Sequence, residues 1–149
     1  MINDNLKLRG DVAIVLKDKN GNVKESREIN NLVVTAGLTF ICSRMAGTSA
    51  GVMSHMALGS STTAAAAGQT DLVSILGSRE ALDSSSASAN TIVYTSSFEA
   101  SEGTGAVTEA GVFNASSSGT MLCRTVFPVV NKGADDTMSV TWTITLTAS

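Results

Sequence analysis

The chain has 149 residues, of which 43% are hydrophobic and only 15% charged, and its formal net charge at pH 7 is −3. That length carries a core without metal or disulfide staples, the apolar share argues against wholesale disorder, and the absence of a clustered basic face argues against nucleic acid. Ser, Thr, Ala and Gly stand where charge would be, leaving a surface suited to packing on other proteins because little charge must be desolvated.

Residues 6–16 alternate as a strand, with Val12, Ile14 and Leu16 on one side. Asn20-Gly21 then supplies a hairpin turn, since both positions accept positive φ. Residues 22–29 return, with Val23, Glu25, Arg27 and Ile29 on one face. This second arm is poor in apolar residues, so the 1–30 hairpin is expected at an edge, or projecting from a body formed by 31–149. Its basic residues Lys7, Arg9, Lys17, Lys19, Lys24 and Arg27 alternate with Asp4, Asp11, Asp18, Glu25 and Glu28. The local field nearly cancels, which describes a solvated hairpin of mixed charge; a docking arm for an acidic partner is the alternative.

Over 32–46 the period changes. Leu38, Ile41, Cys42 and Met45 make one helical stripe, predicting a short helix over about 35–46 with Thr35 as cap and Gly47 closing it. Such a stripe covers one end of a β core or binds a partner. Residues 52–58 look like a strand, and 59–70, GSSTTAAAAGQT, like a surface loop. Asp71 begins a possible helical turn over 71–76. Residues 79–83 suit another strand and 84–89, SSSASA, a turn.

Beyond residue 90 the pattern is β. Ile92, Tyr94 and Phe98 share one face of a strand, 107–113 form the next, and 120–130 another with Pro128 near its end. In the last strand Met138, Val140, Trp142, Ile144 and Leu146 point inward, while Ser139, Thr141, Thr143, Thr145 and Thr147 point out. Seven or eight short strands with one or two helical pieces predict a mainly β, jelly-roll-like antiparallel sandwich in a single domain, 1–149.

Little in the sequence points to chemistry. With one histidine, His55, and two separated cysteines, Cys42 and Cys123, a zinc site is not expected. Both cysteines sit in apolar runs and read as free core thiols, though a bridge between them is open. A Ser-His-Asp triad would need a serine held beside His55, the one histidine, and a hydrolase is not expected. Glu99, Glu102 and Glu109 flank a Gly-rich turn and Asp135-Asp136 are adjacent; solvated turn acids are the plain reading, against a carboxylate pair or a calcium ligand. No cofactor, catalytic residue, targeting segment or membrane span is expected.

Several segments carry a resemblance in their order. They are 31–38, NLVVTAGL, running into 43–47, SRMAG; then 53–59, MSHMALG; 107–114, VTEAGVFN; 121–128, MLCRTVFP; and 132–144, KGADDTMSVTWTI. Together they resemble structural proteins of tailed-bacteriophage virions, in particular capsid cement (decoration) proteins. The resemblance implies a non-enzymatic jelly-roll body on the capsid surface. Its partners would be the major capsid protein and its own copies, as a dimer or trimer, with no nucleic acid and no membrane. A tail or tail-fibre component is the alternative. The hairpin lies outside the stronger match, making Lys7, Arg9, Lys17, Lys19 and Arg27 the candidate contacts to the shell or to other copies.

Overall fold

In a computed structural model, residues 5–48 and 50–148 are described. Nine strands and one helix occur among them: β1 Leu6–Lys17, β2 Val23–Val33, α1 Thr35–Met45, β3 His55–Gly59, β4 Glu80–Ala81, β5 Ser84–Ser88, β6 Thr91–Phe98, β7 Gly105–Phe113, β8 Met121–Lys132 and β9 Thr137–Ala148. All neighbours are antiparallel, in the order β4-β3-β7-β8-β2-β1-β9-β6-β5.

This sheet curls along β2. Only Leu32 and Val33 of β2 pair with β8, opposite Arg124 and Cys123, whereas most of β2 pairs with β1. One half (β5, β6, β9, β1, β2) therefore folds over the other (β8, β7, β3, β4). At the far side the chain crosses between the halves at 82–83, where Asp83 N–H donates to Thr95 O and Ser96 Oγ donates to Ala81 O. The core fills the space between. Val12, Ile14 and Leu16 of β1, Tyr94 and Phe98 of β6, and Met138, Val140, Trp142 and Ile144 of β9 meet Met56, Leu58, Val112, Cys123 and Phe127 from the other half. Alternation produces this, because a strand with one buried face must place every second residue inward.

The hairpin does not project. β1 lies inside the sheet and pairs with β9 over all of Leu6–Lys17, because its buried face completes the core. Residues 23–30 of β2 do keep one unpaired edge. A turn forms where the sequence places it, but of Asn20 and Gly21 only Gly21 has positive φ, 83°, and Asp18 Oδ1 accepts the N–H groups of Asn20 and Asn22. The bond from Asn22, helped by Asn20, holds the Asp18 carboxyl below its ordinary range.

Val34 rather than Thr35 is the cap of the helix, with no side-chain bond, and Gly47 follows it with φ 72°. Gly37 is its one buried residue, where a Cβ would collide with the Leu122 carbonyl. Of the stripe, Ile41 packs partly buried against the core, while Leu38 and Met45 are exposed. Cys42 is exposed rather than in the core; Cys123 is buried, and both are free. Residues 71–76 are not helical: Ile75 bridges Gly59 instead. Residues 84–88 are strand β5, not a turn.

Candidate docking faces and the buried ion pair

The outer face of the β5–β6–β9–β1 half is the most uniform surface of the molecule. Inward residues of β9 are even-numbered, so Thr137, Ser139, Thr141, Thr143, Thr145 and Thr147 all face out. Register extends this into rows across the strands. Ala13, Thr141, Thr95 and Ser84 stand side by side, as do Val15, Ser139 and Ser97. A third row runs Asp11, Thr143, Val93, Ser86, and a fourth Arg9, Thr145, Thr91, Ser88. Hydroxyls and methyls cover the middle and the β5 side; charge is confined to the β1 margin.

Three of the candidate contacts lie at that margin. Lys7, Arg9 and Lys17 are outward on β1, opposite Thr147, Thr145 and Thr137. Arg9 is paired with Asp11 at 2.9 Å. Lys19 sits in the hairpin turn, in a polar cleft shared with Lys17, Asp18, Glu99 and Asp135. Arg27 does not join them. It is opposite Ile14, so it faces inward, 3.5 Å from Glu25. The five residues thus do not form one patch.

A second feature is a cleft of about 370 Å³ between α1 and the inner face, lined by Phe40, Ile41, Met45, Ile92, Tyr94 and Leu146 among others. Burial pushes the Tyr94 hydroxyl up to about 12. A neighbouring depression, which shares Phe40 and Tyr94, reaches Val52 and Ser85 of β5.

On the opposite half, Glu109 and Arg124 are fully buried on the outer side of β7 and β8. Arg124 Nε and Nη2 lie 2.9 and 2.8 Å from Glu109 Oε2. Glu109 Oε1 accepts the N–H of Ser74 at 2.7 Å and of Ser61 at 3.3 Å, and Oε2 accepts that of Val73 at 3.1 Å. Arg124 donates onward to Gln69 Oε1 and the Thr63 carbonyl. The small polar loop is therefore pinned to the sheet through its own backbone. The reading of Glu109 as a solvated turn acid is overturned, because it lies in mid-strand beneath that loop. At Gly59 a Cβ would strike Glu109 Oε1.

The other acids belong to turns. Asp136 accepts Lys24 Nζ at 2.7 Å and Gly133 N–H at 2.7 Å, and these bonds, Lys24's first, hold its carboxyl below the ordinary range. Lys132 is buried, donates to the Glu99 carbonyl, and is shifted down by burial. His55 Nδ1 is 2.8 Å from Ser54 Oγ, and among the described residues no carboxylate bonds to the ring. Among the described residues no three His, Cys, Asp or Glu side chains group as for a metal ion, and no helix is long and apolar enough to cross a membrane. Burial raises the Cys123 thiol well above its ordinary value.

Sequence reasoning missed the ion pair and the β5 edge. Each had a signal: the one charge of β7, Glu109, and Arg124 within the mostly apolar stretch MLCRTVF for the first, and a run of SSSAS preceding a strong strand for the second. Compared with known proteins, the chain matches no family model, no curated protein and no solved structure.

Proposed function

We propose that this protein is a capsid cement protein of a tailed bacteriophage. It binds the outside of the major-capsid shell and stabilises contacts between capsomers by shape, without a reactive centre. The observation that carries this reading is the Ser/Thr face of β5, β6, β9 and β1, together with the order of the virion-like segments. A broad face with little charge docks on protein at small desolvation cost. Weak contacts repeated over a shell add through multivalency. The nested pairing β1–β9, β2–β8 and β3–β7 supports the finer description as jelly-roll-like.

The test is to mix the purified protein with undecorated heads. Saturable binding in hundreds of copies per head, with increased resistance to heat or osmotic shock, is the expected result. Thr141→Arg, between Ala13 and Thr95 at the centre of the face, should weaken binding about tenfold or more while leaving the melting temperature unchanged. No binding to heads, or full binding by Thr141→Arg, contradicts the proposal. A copy number near a dozen moves the protein to the tail.

A further inference from the structure

β5 is the last strand of the order, bonded to β6 alone, and all five of its residues are exposed. Its outer row of backbone N–H and C=O groups has no partner among the described residues. Such an edge is a template for another strand, and proteins that must stay apart block it with charge, proline or a bulge. β5 has none of these: Ser84-Ser85-Ser86-Ala87-Ser88 is uncharged, and its pairing with β6 is regular. Among the other open edges, residues 23–30 of β2 carry Lys24, Glu25, Arg27 and Glu28, with Glu25 and Arg27 turned inward, and residues 125–132 of β8, unpaired on the side of β2, carry Pro128. Those edges hold charge or proline and β5 holds neither.

We propose that a second copy of this chain occupies the β5 edge, antiparallel about a twofold axis at Ser86. Self-pairing sets each residue against its mirror position, and the residue on the axis against its own copy, so a charge there would meet its like. A neutral strand is compatible with that symmetry. The one register that uses all five residues places Ser86 opposite Ser86, Ser84 opposite Ser88 and Ser85 opposite Ala87, so only small side chains meet. Two further observations favour a second copy. The rows of Ser and Thr on the outer face run up to Ser84, Ser86 and Ser88, so pairing joins the two outer faces into one. On the inner side, the depression bounded by Phe40, Val52 and Ser85 opens at this edge, and Val52 is 61% exposed; the second copy covers it. The dimer deepens the cement reading by naming its oligomer contact, yet it forms without any shell, so its test is separate.

Sedimentation and light scattering over a concentration series measure the association. The wild-type chain should be a dimer at micromolar concentration. Ser86→Lys and Ser86→Asp, each placing like charges across the axis, should raise the dissociation constant about tenfold or more. An equimolar mixture of the two variants should restore the dimer, since Lys then faces Asp. Amide hydrogen exchange of residues 84–88 in the wild-type chain should slow as concentration rises, a measurement that needs no variant. A wild-type chain monomeric at about 1 mM, a dimer untouched by both variants, a mixture that stays monomeric, or exchange at 84–88 independent of concentration would each overturn the proposal. Binding to heads can succeed or fail in any of these cases.

Discussion

The side chains of Glu109 and Arg124 are the strongest single determinants of local structure. Both are removed from water, and the cost of burying them is met by a set of bonds that satisfies both carboxylate oxygens and the guanidinium. Removing one partner leaves the other charge buried and unpaired. Arg124→Met should therefore cost about 3–5 kcal/mol of unfolding free energy. Glu109→Gln should also destabilise, since Arg124 then lacks its counter-charge. The double variant should lose less than the sum by about 1–3 kcal/mol, because neither charge remains to be stranded. Urea denaturation of the four proteins measures the cycle; strict additivity would show that the two residues act independently.

Among the elements, β9 was the most legible, because its unbroken alternation reflects one face in the core and one in solvent. The turn at Asn20-Gly21 was equally plain, since few residues accept that backbone. The position of the hairpin was not, because a charged second arm looks the same at an edge as beside a partner strand. β5 was hidden for another reason: serine has little strand preference, and its strand exists because β6 pairs with it. The loop over residues 59–70 reads as small and polar with little to bury, yet together with Val73 and Ser74 it covers Glu109 and Arg124 of β7 and β8. Of the candidate contacts, alternation placed Lys7, Arg9 and Lys17 together, and the same alternation sent Arg27 inward. The hairpin is also tied to the β8–β9 turn by Lys24 and Asp136, and this tie is pH-dependent. A carboxyl whose folded pKa is depressed adds stability that is present above its unfolded value, near 3.9, and lost as pH falls through the lower folded value. Asp136→Asn should thus flatten the fall in stability as pH drops below about 4. Thermal melts of both proteins across that range measure the difference; parallel curves would show that the tie contributes nothing.

At the scale of the molecule, the question is whether docking is driven by the neutral face or by the basic margin of the hairpin. The two make different demands on salt. Exposed charges separated by more than a Debye length, about 8 Å at physiological ionic strength, are screened, so an association steered by Lys7, Arg9, Lys17 and Lys19 weakens steeply as salt rises. These cations also have anionic neighbours: Asp11 lies beside Arg9, and Asp18, Glu99 and Asp135 share the cleft of Lys17 and Lys19. Their net field toward a partner is small. The Ser/Thr face, by contrast, gains by burying its methyls and pairing its hydroxyls with partner groups, which added salt barely affects. Binding to undecorated heads should change by less than about threefold between 50 and 500 mM NaCl, with the association rate nearly constant. Replacing Lys7, Arg9 and Lys17 together by Gln should change affinity less than Thr141→Arg alone. A loss of affinity of about a hundredfold over that salt range would transfer the docking role to the hairpin's cations and leave the Ser/Thr face as ordinary solvated surface.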